Sequence, residues 1–314
     1  MDSKLTAMMV DDFLHDPVLA AKVVLGITCP PHMEVRLWSM WTKLLTIDNS
    51  GFGSGKSLAT AIVSTLRAIL MRGRTEAIMG PTFAQGQLAH KYIDLWIDTK
   101  PIVRSQCIFD PRMGLPSRAH SSQAWEARFK SGSVVRTIPP DFKGGGERAG
   151  SEDWTDACFD EVTKMPDMQI FFRQFVTRVR KPIPEEYAPV CTTMTRNEDP
   201  IFGQHIYMGG TPRYVWHPFY KSVESAQRRI QNGSTTDDVL SFNHKDIERF
   251  FPEHPEYRDF VNLKRIKLIE EGLPRDVAQQ EIYGFWVKDS SGYYSQADID
   301  AARVEPAPIL LGRE

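Results

Sequence analysis

Leu44-Leu45-Thr46-Ile47, then Gly51-Phe52-Gly53-Ser54-Gly55-Lys56-Ser57, then a run carrying Leu58, Ala61, Ile62, Leu66, Ile69 and Leu70 that stops near Gly73: residues 44–73 decide the fold. A short apolar stretch reads as a buried strand, and apolar residues recurring at helical spacing read as a long amphipathic helix. Between them lie glycines, a lysine and a serine in the order of a phosphate-binding loop. Such a loop needs glycines where backbone N–H groups turn inward to cradle phosphates, a lysine for the terminal phosphates and a hydroxyl for Mg²⁺. Gly51, Gly53, Ser54 and Gly55 supply the loop, Lys56 reaches the β- and γ-phosphates, and Ser57 is the metal-side hydroxyl. The helix that starts here directs its positive end at the anion. One position departs from G-x-x-x-x-G-K-S: residue 50, where the first glycine belongs, is Ser50. A glycine turn between strand and helix can be mere punctuation, but the flanking elements favour the nucleotide site.

Working outward, Ala77-Ile78-Met79 is predicted as a strand, running into Gly80-Pro81-Thr82 and a helix over about 85–97. Val134 to Ile138 alternates like a strand, whereas 101–132 reads as irregular. Trp154 to Phe159 is predicted as another strand, interrupted by Thr155 and Asp156, followed by a helix around 168–180, and His205 to Met208 as a further strand. Upstream, short helices are expected over 8–26 and a helix from His32 toward Leu45. Alternation of strands with helices predicts an α/β fold whose sheet is mostly parallel and flanked by helices; with the phosphate-binding loop, the expected class is a P-loop NTPase similar to the ASCE, RecA-like kind. Past about residue 235 charged helical stretches dominate. The expected organisation is therefore an ATPase core with a helical lead-in over 1–235 and a small helical lid or linker over 236–314.

A phosphate-binding loop that hydrolyses its ligand needs one carboxylate for the metal and another for the attacking water, both at the end of a neighbouring strand. Cys158-Phe159-Asp160-Glu161 supplies that pair, Asp160 toward Mg²⁺ and Glu161 toward water. Charge on the γ-phosphate also calls for a cation in the transition state. Arg148 is the candidate, in the loop Lys143-Gly144-Gly145-Gly146-Glu147-Arg148-Ala149-Gly150. The cofactors read from these residues are ATP and Mg²⁺.

The 314 residues, with 41% hydrophobic and 25% charged side chains, suit a globular protein and exclude wholesale disorder. A net charge of −2 gives no support for a nucleic-acid partner, although a local basic surface is enough for one. Four scattered cysteines without a C-x-x-C pair argue against a disulfide framework or zinc knuckle and suit a reducing compartment. No secretory signal or membrane-length apolar run is visible, so no membrane is expected as partner. There is no H-E-x-x-H, and the eight histidines carry no assigned chemistry.

In order and spacing, five groups of residues resemble the ATPase half of a large terminase subunit, the motor that packages DNA into tailed-phage and herpesvirus-type capsids. They are the Gly51–Ser57 loop, Gly80-Pro81-Thr82-Phe83-Ala84-Gln85, Arg148-Ala149-Gly150, Asp160-Glu161, and Gly210-Thr211-Pro212 with His217-Pro218-Phe219-Tyr220; the stretch Gln280 to Trp286 resembles the exit from that domain. The resemblance covers about residues 30–300 and implies specific roles. Arg148 would be an arginine finger acting between subunits of a homo-oligomeric ring, expected as a pentamer. Thr211 would belong to the coupling motif that senses the γ-phosphate. Met33 stands where the family often has an adenine-contacting glutamine, and Ala84 where it often has an arginine.

The implied partners are double-stranded DNA, a portal protein and a small terminase subunit. The implied location is the cytoplasm of the infected host cell, with transient docking on the procapsid. Full-length members continue into a nuclease; this chain is read as the motor domain, with no nuclease activity expected. Arg173, Arg178, Arg180, Lys181 and Arg213 are candidate DNA-phosphate contacts, because sequence-independent grip needs cations more than base readers. Two other readings stand beside the packaging motor: a helicase-type DNA-dependent ATPase, and a nucleotide-binding portal-docking module that does not hydrolyse.

Overall fold

A computed structural model describes residues 10–145, 152–181, 203–249, 252–253 and 263–288. Its frame is one eight-stranded sheet in the order β3-β4-β5-β2-β6-β7-β1-β8. The strands are β1 (Leu45–Asp48), β2 (Thr75–Met79), β3 (Arg118–His120), β4 (Trp125–Arg128), β5 (Val134–Thr137), β6 (Asp156–Phe159), β7 (His205–Gly209) and β8 (Asp237–Leu240). From β5 to β8 every neighbouring pair is parallel, and β3 and β4 close one edge as antiparallel additions. Parallel pairs require crossovers, and helices provide them. Those that shape the site are α1 (Pro31–Thr42), α2 (Lys56–Leu70), α3 (Phe83–Thr99), α4 (Pro218–Gln231), α5 (His244–Glu248), α6 (Leu263–Glu271) and α7 (Arg275–Glu281).

Strand alternation divides the interior into two cores, one on each face of the sheet. The register sets Ile78, Cys158 and Tyr207 in one row, and all three face Leu37, Trp41, Ile62, Leu66, Ile93 and Trp96 from α1, α2 and α3. Met33 is buried in this same core, which accounts for an apolar residue at that point of α1. Ala77, Phe159 and Met208 point to the other face and meet Phe171, Phe175, Phe219 and Val223.

Several expectations need amendment. The stretch 101–132 is not uniformly irregular: it holds a short helix (Pro101–Gln106) and the β3–β4 hairpin. Residues 168–180 form three successive turns of differing pitch, Met168–Ile170, Phe171–Phe175 and Val176–Arg178, in place of one helix. Helix α4 has no counterpart among the expected elements, since its buried side is only Phe219, Val223 and Ala226. The sheet runs past residue 235, because β8 pairs with β1 as an edge strand whose Asp237-Asp238 start conceals its strand character.

The polar residues that interrupt β6 turn out to be structural. Asp156 is fully buried between Arg74, whose Nη1 lies 3.2 Å from each carboxylate oxygen, and Arg67 at 3.4 Å. Two guanidiniums offset the desolvation of one buried carboxylate, and the pairing fixes the entry of β6 against α2. The Thr155 hydroxyl lies 2.6 Å from Asp156 Oδ2 and 3.0 Å from the Thr75 carbonyl, its one proton shared between the two acceptors. Among the described residues no helix is long and apolar enough to cross a membrane.

Candidate nucleotide site

The phosphate-binding loop leaves the C-terminal end of β1, the end at which parallel α/β sheets hold ligands. Gly53 and Gly55 adopt φ of +73° and +88°, a left-handed conformation that a Cβ would strain, and Gly55 caps the start of α2. Behind the loop sits an element the sequence did not disclose. Asp48, fully buried, accepts from Arg36 Nε at 2.5 Å, from Tyr207 Oη at 2.9 Å, and from both the amide and hydroxyl of Ser50. Arg36 reaches on to the Ser54 carbonyl at 2.7 Å. Burial alone would raise the Asp48 carboxyl, but Arg36, Lys56 and the Ser50 hydroxyl bring it below its ordinary value. The buried Arg36–Asp48 pair thus holds the loop at Ser50 and at Ser54.

Ser50, at the position of the missing glycine, is a working part of this brace. Its hydroxyl donates to Asp48, accepts from Arg36 Nη2 at 3.2 Å and accepts from the Phe242 amide at 3.0 Å, tying the loop to the segment after β8. Gly51 is required by packing: a Cβ there would stand 2.5 Å from the Ile282 carbonyl oxygen at the end of α7. Lys56 Nζ donates to the carbonyls of Ser50 (2.7 Å) and Gly51 (3.1 Å). Burial lowers the Lys56 ammonium from its ordinary value, while Asp48, Glu161 and Asp160 oppose that shift.

Across the cleft, β6 delivers Asp160 and Glu161. The Ser57 hydroxyl donates to Asp160 Oδ2 at 2.7 Å, a contact spanning 103 positions of sequence. Asp160 is 6% exposed; burial raises its carboxyl, the Ser57 bond opposes this and Glu161 reinforces it. Glu161 is the only non-glycine residue with positive φ (52°) among the described residues, an uncommon backbone state for a bulky side chain. Lys164 Nζ lies 3.0 Å from its Oε2. Together Phe52–Leu58, Gln85, Leu88, Tyr92, Asp160, Glu161 and Lys164 line a cleft of about 500 Å³.

The predicted residues therefore fall into three places. Gly53, Ser54, Gly55, Lys56, Ser57, Asp160 and Glu161 meet in the cleft. Gly51 and Thr211 are not among the residues that line it. Thr211 is fully buried, its Oγ1 has no hydrogen-bond partner among the described residues, and its carbonyl accepts from Thr163 Oγ1 at 2.8 Å. Arg148 lies outside the described residues. Sequence reasoning missed Arg36, Asp48, Lys164 and Tyr92. Of these only Lys164, one turn beyond Glu161, carried a readable signal.

The candidate DNA cations are partly committed within the chain. Arg178 and Arg180 pair with Asp153 at 3.7 and 3.0 Å, Arg213 pairs with Glu281 at 3.3 Å, and Lys181 donates to Thr75 Oγ1 at 2.7 Å. Arg173 stays exposed. Trp216 is 58% exposed and stacks on Tyr214 with ring centroids 5.1 Å apart.

A glycine-lined loop after β1, an acidic pair after β6 and β7 lying between those two strands define a P-loop NTPase fold. No protein-family model and no curated protein matches the sequence. Solved structures of phage large terminases are similar in fold. The HK97 bacteriophage large terminase matches with TM-score 0.61 at 9% identity, over 87% of this chain and 55% of its own. The Thermus phage P74-26 large terminase ATPase domain matches with TM-score 0.54 at 14% identity, over 85% of this chain and 97% of its own. The large terminase of a thermophilic bacteriophage, in complex with ADP, matches with TM-score 0.54 at 12% identity, over 83% of this chain and 54% of its own. The chain spans about half the length of the HK97 protein and of the ADP-bound terminase.

Proposed function

We propose that this chain is the ATP-hydrolysing motor of a viral genome-packaging terminase, coupling hydrolysis to translocation of double-stranded DNA into a procapsid. The observation that carries the reading is the Ser57–Asp160 contact beside Lys56 and Glu161: a hydroxyl and a carboxylate from distant elements converge at the mouth of a phosphate-binding loop. Those two oxygens fit Mg²⁺, a hard cation held by one or two protein oxygens plus substrate phosphates. Bound there, the ion would neutralise charge on the β- and γ-phosphates.

The protein's own groups divide the remaining work. The amides of Gly53, Ser54 and Gly55, with the N-terminus of α2, orient the triphosphate, and Lys56 balances its charge. Glu161 holds the attacking water and takes its proton. Lys164, at its flank, positions that carboxylate. Thr211 reads the state of the γ-phosphate, its turn tied to that of Thr163 by a hydrogen bond. Arg148, from the neighbouring subunit of a ring, completes charge compensation. The partners in this reading are DNA, a portal protein and a small terminase subunit, and the setting is the cytoplasm of the infected cell, on the procapsid.

The test is Mg²⁺-dependent ATP hydrolysis measured against protein concentration. Specific activity that rises with concentration, and vanishes in Lys56→Ala and Arg148→Ala, supports a ring whose subunits complete one another's sites. Activity that is flat with concentration and insensitive to Arg148→Ala removes the trans-acting finger. Nucleotide binding without turnover, with portal and DNA supplied, removes the motor and favours a binding module.

A further inference from the structure

Helix α3 has two working sides. Gln85, Leu88 and Tyr92 line the nucleotide cleft, and roughly half a turn around the helix lie His90 and Asp94, one turn apart. This second side faces the β3–β4 hairpin at the sheet edge, from which His120 reaches back. One ligand atom each from His90, Asp94 and His120 lies within 4.8 Å of the other two. The His120 Nε2 to Asp94 Oδ2 distance is 3.0 Å.

Each of the three side chains is held by a further partner. His90 is fully buried, and its Nδ1 lies 3.0 Å from the Thr137 hydroxyl, while Nε2 has no hydrogen-bond partner among the described residues. With Nδ1–H donated to Thr137, Nε2 is the nitrogen left with a lone pair. Asp94 keeps Oδ1 toward Arg118 at 3.4 Å and turns Oδ2 to His120. His120 stacks on Trp125 with centroids 4.4 Å apart. A buried imidazole nitrogen without a partner is costly, and an ion that accepts its lone pair removes that cost.

We propose that His90, Asp94 and His120 form a site for a divalent transition-metal ion of the zinc type, separate from the nucleotide cleft. Two imidazoles and one carboxylate are a donor set suited to zinc, which takes three protein ligands and leaves a fourth position for water. Ligand atoms around tetrahedral zinc stand roughly 3.3 Å apart. Asp94 and His120 already stand 3.0 Å apart, and the His120 side chain is 41% exposed. The outer shell also matches, with Thr137 setting the His90 tautomer and Arg118 fixing the carboxylate. The ion would staple the edge hairpin to the helix whose other side meets the nucleotide.

The test is calorimetric titration of the full chain with Zn²⁺ at constant excess Mg²⁺, together with the visible absorption of bound Co²⁺. One saturable site per chain is expected in the wild type and in Lys56→Ala, with a four-coordinate Co²⁺ spectrum. His120→Ala and Asp94→Asn, both near the surface, are expected to weaken binding at least about 100-fold, and the near-isosteric Thr137→Val by about 10- to 100-fold with the ligands intact. Absence of a saturable site in the wild type, or a site unchanged in both His120→Ala and Asp94→Asn, overturns the proposal. Neither result bears on the ATPase reading, which rests on Lys56, Asp160 and Glu161.

Discussion

A Cβ placed on Gly51 would stand 2.5 Å from the carbonyl oxygen of Ile282. The glycine of the phosphate-binding motif is thus demanded by the C-terminal end of α7, and the adjacent Phe52 amide donates to the Glu281 carbonyl at 2.6 Å. Gly51→Ala must push the 281–284 segment off the loop, an overpacking that costs about 1–3 kcal/mol. The expected result is a lower melting temperature together with faster hydrogen exchange at the Phe52 amide. Unchanged exchange at that amide would show that the contact is not maintained in solution.

Restoring the commoner glycine at residue 50 should harm this protein. Ser50→Gly removes a buried hydroxyl that serves Asp48, Arg36 and the Phe242 amide, leaving the amide unsatisfied. A loss of about 1–3 kcal/mol in unfolding free energy is expected, read from the denaturant midpoint.

Breaking the brace itself should cost more. Arg36→Met keeps the bulk of the side chain but leaves the Asp48 carboxylate buried without its cation, a change worth about 3–5 kcal/mol. Nucleotide affinity should fall with it, because the Ser54 carbonyl loses its anchor. Equal stability of wild type and variant would refute the brace.

How much of this was visible in the sequence differs from element to element. Strands β1, β2 and β7 were legible as short apolar stretches, β5 by its alternation, β6 despite its polar start, and helices α2 and α3 as helical stripes. The loop and the acidic pair were legible because phosphate chemistry admits few residue types. Arg36 and Asp48 were not, since charged residues on a helix and at the end of a strand ordinarily face water, and only the fold places them 2.5 Å apart. Asp156 read as an interruption of its strand, and its compensating arginines come from α2 and from the turn before β2. The β3–β4 hairpin escaped notice because Arg118–His120 is short, polar and half-exposed.

Glu161 should separate binding from turnover. Glu161→Gln keeps the shape and reach of the side chain but cannot accept the water's proton. Hydrolysis is expected to fall by about 10²- to 10⁴-fold, with the affinity for Mg²⁺-nucleotide little changed. A variant that hydrolyses at the wild-type rate would remove Glu161 from its assigned role.

Glu76 makes stability depend on pH. It is buried in β2, accepting from Ser64 Oγ at 2.6 Å and from Cys158 Sγ at 3.3 Å; burial, then the charge of Asp156, raises its carboxyl from 4.5 to about 7. Between those two values the folded chain binds a proton that the unfolded chain releases, so this group's contribution is full below pH 4.5 and is lost as pH rises to about 7. Glu76→Gln should remove that decline, flattening the melting temperature across the window by an amount worth at most about 3 kcal/mol. Parallel pH profiles for wild type and variant would contradict the assignment.

The bond between Thr163 and Thr211 has a bearing on genetics. Thr163 contributes a side-chain hydroxyl, while Thr211 contributes its main-chain carbonyl. Every substitution at residue 211 leaves that carbonyl in place, so alanine scanning there deletes only the hydroxyl and reports on that alone. The tie between the two turns can be severed by mutation only at Thr163, and a screen for uncoupled variants that samples residue 211 without residue 163 would pass over it.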